Sequence, residues 1–326
     1  MKALILEQYN QPFQQVEIKK PAIGKGQVLV KIKASGINPL DLKIKQGKGE
    51  HAQQQLPAIL GIDLAGIVEE AGEGVTIFKP GDEVYGMTGG IGGNQGSLAE
   101  YAAVDPALLA LKPANLTMRQ AAAIPLVFIT AWEGLVDRAH VHSGQTVLIQ
   151  GGSGGVGHMA VQIAVAKGAK VFTTDSLKNH EFIKSLGATP IDYHTATVKE
   201  YIEKYTAGEG FDIVYDTVGG ATLDDSFKAA KIYQGHVVSS LGWGTHSLAP
   251  LSFRGATYSG IFTLLPLLTG KGRKHHGEII AEATRLAQAG KLIPLLDPEF
   301  YTLGTIEHAY EALENKAARG KVVIDI

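Results

Sequence analysis

Five glycines fall within the eight residues QGGSGGVG, 150–157. Glycine loses more backbone freedom on folding than any other residue, so such a run needs a compensating reason. Its neighbours supply one. TVLIQ (146–150) reads as a buried strand, and Val156, Met159, Ala160, Ile163 and Ala164 recur at helical spacing on one apolar face. A flexible linker does not sit between a buried strand and an amphipathic helix. Gly152, Gly154 and Gly157 fit G-x-G-x-x-G. In that pattern glycines permit a sharp turn, let a diphosphate approach the main chain and let the helix pack closely on the strand. The first N–H groups of the helix then face the anion. This unit predicts a dinucleotide site.

The unit opens a series. KVFTT (170–174) is a second strand, EFIKSLGA (181–188) ends a helix at Gly187, and DIVYDTV and VVSSLG continue the alternation. Strands alternating with helices argue for a parallel sheet covered by helices. Residues 1 to about 115 have another cadence. MKALIL, QVLVKIKAS, LAGIVEEAG and DEVYGM are short strands, punctuated at Gly24, Gly26 and Pro80-Gly81-Asp82. The glycine-rich segment 89–96 is either a mobile lip or a tight hairpin. Thr117 is a good N-cap for a helix over 118–123. From about 291 the chain returns to strand-like runs (KVVIDI) around a helix over 305–317, expected to rejoin the first domain.

Several classes are excluded. The 326 residues carry a net charge of -2, which favours neither nucleic acid nor a membrane surface. There is no cysteine, hence no disulfide, redox dithiol, thiol nucleophile or thiolate zinc site. The apolar start is too short for a signal peptide, and no run of about 18 apolar residues is present. A cytoplasmic protein is expected. At the end of the second strand, Asp175 is placed to bind ribose hydroxyls, which favours NAD. Ser176 and Lys178 follow at once and are equally placed to hold a ribose phosphate, and Asp175 also reads as a simple cap for the next helix.

Longer strings then carry a resemblance: ASGINPLDLK (34–43), LPAILGIDLAGIVEEAGEGVTIFKPGDEVYG (56–86), GSLAEYAAV (96–104), QAAAIPLVFITAWEGL (120–135), the glycine turn and GKVVIDI. In this order they resemble a zinc-independent member of the medium-chain dehydrogenase/reductase superfamily, of the quinone oxidoreductase type. The resemblance implies an α/β fold: a GroES-like β domain, 1–120 completed by 291–326, plus a Rossmann doubly wound parallel-sheet domain, 121–290. The coenzyme would lie in the cleft between them. Thr130, Gly154, Gly155, Val156 and Gly157 resemble positions near the diphosphate, beside Gly152 of the glycine pattern. Ser176, Lys178 and Tyr193 resemble the adenosine-phosphate pocket of NADPH users, with Asp175 a departure from their usual neutral residue. Thr217, Leu241, Gly242, Phe262, Thr263 and Lys321 resemble positions near the ribose or nicotinamide. NADP(H) is favoured over NAD(H).

Zinc alcohol dehydrogenases carry cysteine where this chain has Asn38, Gly-His-Glu where it has Gly61-Ile62-Asp63, and a four-cysteine lobe. No metal site is therefore expected, and the pairs His140/His142 and His275/His276 read as surface or loop histidines. Without a Lewis acid, hydride transfer suits an acceptor that delocalises charge, a quinone or enone, helped by a hydrogen-bond donor at its oxygen. Asn38, Asp41 and Lys43 are the candidate catalytic residues: Asn38 and Lys43 as donors, Asp41 to orient Lys43 or bind the nicotinamide ribose. Trp243 and Phe262 are candidates for the pocket wall. The partner is a small-molecule electron acceptor, and a homodimer is expected through the sheet edge formed by VVSSLG to TYSGIF. A zinc-free alcohol dehydrogenase and a nucleotide-binding protein without turnover are the alternatives.

Overall fold

The computed structural model describes all residues, 1–326. The chain divides into two compact units, residues 1–129 with 264–326 and residues 130–263. In the first, β1 (Lys2–Ile5) and β2 (Gln14–Glu17) form an antiparallel ribbon. A larger antiparallel sheet is built from β3 (Val28–Gly36), β4 (Asp63–Ala71), β5 (Glu83–Met87), β6 (Tyr101–Val104) and β7 (Leu109–Leu111). β3 pairs with β4 and β6, and β5 with β4 and β7. Period-two alternation drives the packing: Val28, Val30 and Ile32 turn inward onto Leu64, Val68, Val84 and Val104, while Lys31 faces solvent. A Cβ on Gly36 would stand 2.1 Å from the Ala122 carbonyl oxygen, so glycine is what lets the helix Met118–Ala122 close onto β3. Thr117 caps that helix reciprocally with Gln120. The segment 89–96 is not a hairpin, since the strands on either side of it do not pair with each other: Gly90 N–H donates to Asn94 (3.1 Å) within a local turn, and Gly92 and Gly96 donate out of it to Ala52 and Ile59 (2.9 Å each).

The second unit carries six strands: β8 (Thr146–Gln150), β9 (Lys170–Asp175), β10 (Thr189–Asp192), β11 (Ile213–Asp216), β12 (His236–Ser239) and β13 (Thr257–Gly260). All pair parallel, in the order β10-β9-β8-β11-β12-β13. The chain enters at mid-sheet, moves outward one way, crosses back and moves outward the other way. Right-handed crossovers then place helices on opposite faces, which is the doubly wound arrangement. Under one face, Phe172, Phe211, Phe227 and Tyr201 pack with Leu148 and Val214, the first two rings edge-on at 5.4 Å.

Back in the first unit, β14 (Tyr301–Thr302) pairs with β15 (Val323–Asp325), and β15 joins β3 antiparallel, so the tail completes a seven-stranded sheet. The helix Arg273–Gln288 packs against β5 and β7 through Ile280, Ala283 and Ala287, and Tyr85 donates its hydroxyl to the Ile280 carbonyl (3.0 Å). Residues 264–290 thus belong to the first unit, whereas the alternating pattern had grouped them with the parallel sheet. The same helix corrects one histidine: His276 is 1% exposed and part of the interior, while His140, His142 and His275 lie at the surface. No helix is long and apolar enough to cross a membrane.

Candidate functional site: a glycine turn and a buried polar cluster

At the end of β8, Gly151 adopts φ +77, a left-handed backbone that reverses the chain, and its carbonyl accepts Gly154 N–H at 3.1 Å. Gly154 is the extended N-cap of the helix Gly155–Ala166. The turn leaves no room for side chains at two positions: a Cβ on Gly152 would lie 2.1 Å from Thr173 Oγ1, and one on Gly157 2.0 Å from the Gly151 oxygen. First-turn N–H groups, here those of Gly155, Val156 and Gly157, have no intrahelical acceptor and converge on the turn. A cleft of about 1210 Å³ opens beside it, lined by Ser153, Gly154, Asp175, Tyr193, Lys199 and Thr217. It lies outside the carboxyl ends of β8, β9 and β11, where the strand order reverses, the place where open parallel sheets bind ligands. The fit to a dinucleotide is physical: an anion-seeking helix end, a turn whose close packing admits no Cβ at Gly152 or Gly157, and a cleft large enough for the rest.

Asp175 is only 6% exposed and bends back over the turn. Its Oδ2 accepts Ser153 N–H (2.8 Å), and its Oδ1 accepts Ser176 N–H (2.8 Å) and the Asn179 side-chain amide (2.6 Å). The same Asn179 amide nitrogen reaches Ser153 Oγ at 2.9 Å. Ser176 starts the single 3-10 turn Leu177–Asn179, whose Lys178 is exposed, and Tyr193 stands at the end of β10 with 57% of its surface exposed. Asn179 and Ser153 were not foreseen as site residues. The available signal was an Asp and an Asn four apart, flanking a short turn after a strand.

Further along the same unit, the Thr217 hydroxyl donates to the Gln150 carbonyl (2.6 Å) and Leu241 N–H to Ser239 Oγ (3.1 Å). Thr263 Oγ1 bonds both Thr130 Oγ1 (3.1 Å) and the Glu133 carboxylate (2.9 Å), with the Thr130 carbonyl accepting Tyr215 (2.7 Å). Glu133 begins a wider π-helical stretch, Glu133–Arg138, a feature frequent at functional sites. A Cβ on Gly242 would meet the Tyr258 hydroxyl at 2.2 Å. Trp243 and Phe262 meet edge-on, ring centres 6.1 Å apart, and Trp243 is half exposed.

In the first unit, Asn38, Asp41, Asp63 and Lys321 form one buried cluster. Asn38 is the extended N-cap of the helix Pro39–Lys45. Its amide donates to Asp63 Oδ2 (2.9 Å) and its carbonyl accepts the Lys321 ammonium, which also bonds the Ile37 carbonyl (3.1 Å) and stands 3.6 Å from Asp63 Oδ2. Asp63 Oδ1 accepts Leu126 N–H (2.9 Å). Asp41 accepts the main-chain N–H groups of Asn38 (2.9 Å) and Gly61 (3.2 Å). Burial pushes the Asp41 carboxyl up to about 7, raises Asp63 and lowers Lys321. Asp41 and Lys43 were expected to act together; instead Asp41 points inward and Lys43 lies exposed on the helix. Asn38, expected to serve a bound oxygen, is fully buried with its amide bonded inside the cluster.

This cluster does not fit zinc. A zinc site needs about three His, Cys or carboxylate ligands converging on an open position. Here an ammonium holds the space between an amide and a carboxylate, and no three such side chains converge anywhere in the chain.

Known proteins agree with this outline. Residues 24–114 match the family model described as an alcohol dehydrogenase GroES-like domain, and residues 155–268 the one described as a zinc-binding dehydrogenase. The 2-methylene-furan-3-one reductase of Solanum lycopersicum is 37% identical, over 93% of this chain and 73% of its own length. The chloroplastic NADPH-dependent alkenal/one oxidoreductase of Arabidopsis thaliana is 35% identical over the same shares. An alcohol dehydrogenase superfamily protein from Novosphingobium aromaticivorans, known as a crystal structure, is 56% identical, with a TM-score of 0.98 over 100% of this chain and 99% of that one.

Proposed function

The chain belongs to the medium-chain dehydrogenase/reductase superfamily, and from that premise we propose that it reduces an α,β-unsaturated carbonyl or a quinone with NADPH, without a metal. The observation that carries the reading is the glycine turn at the carboxyl end of β8, opening onto a large cleft at the reversal of strand order. The unsaturated carbonyl follows the two plant relatives, one named as a 2-methylene-furan-3-one reductase and the other as an alkenal/one oxidoreductase; the quinone follows from the same capacity to delocalise charge.

The bound coenzyme would supply hydride at its nicotinamide ring. The remaining work falls to residues of the chain. In this reading the N–H groups of Gly155, Val156 and Gly157 hold the diphosphate, with Gly152 and Gly154 shaping the approach. Ser176, Lys178 and Tyr193 hold the adenosine phosphate. Thr130, Thr217, Leu241, Gly242, Phe262 and Thr263 bound the ribose and nicotinamide, with Phe262 and Trp243 giving an apolar wall. Lys43, the one exposed cation of the three candidate catalytic residues, serves the acceptor oxygen, where a donor stabilises developing negative charge. Asn38, Asp41 and Lys321 act beneath it by fixing the helix Pro39–Lys45. An enone or quinone spreads the arriving charge through conjugation, so this donor set suffices where an unactivated alcohol would need a Lewis acid. The protein acts as a homodimer joined along β13.

Coenzyme titration followed by turnover tests the reading. NADPH should bind, and be oxidised on addition of enones or quinones but not of simple aldehydes. Gly157→Asp should abolish binding, because charge and bulk enter the diphosphate cradle. Failure of folded protein to bind either coenzyme overturns the proposal. Binding with no oxidation across the panel leaves a nucleotide-binding protein, and alcohol oxidation with inert quinones leaves a zinc-free alcohol dehydrogenase.

A further inference from the structure

An acid at the end of the second strand of such a sheet ordinarily turns outward and accepts the two hydroxyls of the adenosine ribose, which selects NAD. Asp175 occupies that position and does something else. Three donors hold its carboxylate: Ser153 N–H, Ser176 N–H and the Asn179 amide, all within 2.8 Å. Two are main-chain groups, which no substitution short of proline removes. The third is a side chain four residues on, across the single turn Leu177–Asn179, and the same amide nitrogen also reaches Ser153 Oγ (2.9 Å) and, more distantly, Ser176 Oγ (3.4 Å). The result is a bridge from the loop after β9 to the glycine turn after β8. Asp175 lines the cleft, but with both oxygens engaged and only 6% of the residue exposed its carboxylate presents little free surface to it. Lys199 and Tyr193 line the same cleft, and Ser176 and the exposed Lys178 follow Asp175 in the chain, a set suited to a phosphate dianion.

We propose that Asn179 is a specificity-determining latch: it holds Asp175 against the glycine turn, so that an acid in the NAD-selecting position does not reach the ribose and a 2′-phosphate is accepted. The inference rests on the proposed coenzyme reading and deepens it. Asp175 is correspondingly a positioning residue for the glycine turn, acting on both coenzymes alike through Ser153.

The test is the ratio of NADH to NADPH affinity, read by fluorescence titration of the full-length protein. Wild type should favour NADPH. In Asn179→Ala the two main-chain bonds remain but one charge-assisted hydrogen bond is lost, Asp175 Oδ1 gains a free acceptor site for a ribose hydroxyl, and the ratio should move toward NADH by about five- to tenfold. Asn179→Ser should move it the same way, which guards against a fold defect peculiar to one variant. Asp175→Ala should weaken both coenzymes by a similar factor, and adding Asp175→Ala to Asn179→Ala should return the ratio to the wild-type value or below. A general loss of structure would not raise the ratio in the Asn179 variants and then restore it when Asp175→Ala is added. The latch is overturned if wild type favours NADH, if both Asn179 variants keep the wild-type ratio, or if Asp175→Ala selectively loses NADH. In each of these cases coenzyme binding itself stands. Only a wild type that binds neither coenzyme removes the underlying reading together with the latch.

Discussion

Lys321 is 6% exposed and stands between Asn38 and Asp63, with Asp41 close enough to feel its charge. Each partner makes the others tolerable. Removing the cation leaves buried carboxylates without compensation, the costly half of breaking a buried ion pair. Lys321→Met should therefore destabilise the protein by about 3–5 kcal/mol in urea unfolding, and adding Asp63→Asn should recover part of the loss; equal stability of Lys321→Met and wild type would mean the cluster is not closed. Asp41 gives a second reading of the same cluster. Burial raises its carboxyl from 3.8 to about 7. The folded state then binds a proton that the unfolded chain has released between those two values, so this group's contribution favours folding at acid pH and is lost as pH rises through about 7. Against Asp41→Asn, which does not titrate, the wild type should hold a larger stability margin at pH 5 than at pH 8. A margin that grows with pH would refute the burial argument.

At the scale of the element, the strand–turn–helix unit is the clearest case of chemistry legible in residues alone. Everything it needs is local: a buried strand, glycines at fixed offsets and an apolar helical face. The steric test follows directly. A methyl at Gly157 would sit 2.0 Å from the Gly151 oxygen, so Gly157→Ala must open the turn, and coenzyme affinity should fall by more than about tenfold with the far-ultraviolet spectrum unchanged. The capping box at Thr117 was likewise readable, because its partner is three residues away. The buried cluster was not. Asn38 meets Asp63 across 25 positions and Lys321 across 283, and no local pattern announces that an amide in a helix cap will face a lysine from the opposite end of the chain. Asn179 was missed for a subtler reason: its neighbour Asp175 was visible, but the side-chain direction that separates a ribose ligand from a loop clamp is set by packing against a turn 22 residues earlier. Pattern also misled over residues 264–290, where an amphipathic helix continues the βα rhythm while its apolar face is buried on β5 and β7.

For the molecule as a whole, the parallel sheet ends at β13, a four-residue strand with one side unpaired and outer residues partly exposed. An unpaired edge is a template for another strand, and two copies meeting there by a two-fold axis form a closed, self-complementary interface. The ladder shows which groups are available. Thr257 N–H donates to Gly235 and Ile261 N–H to Ser239, both toward β12 (2.9 Å each). By alternation the N–H groups of Tyr258 and Gly260 face outward. Tyr258 is needed inside, where its ring meets Phe227 edge-on at 5.7 Å, so Gly260 is the site to block. A Cβ there meets nothing closer than the Tyr258 hydroxyl at 3.7 Å, and proline removes only the outward donor. Wild type should scatter light with twice the mass of a 34.6 kDa chain, and Gly260→Pro with the mass of one, its far-ultraviolet spectrum unchanged because proline removes no bond of the sheet itself. A dimer that survives Gly260→Pro would place the interface elsewhere, and a monomeric wild type would remove it.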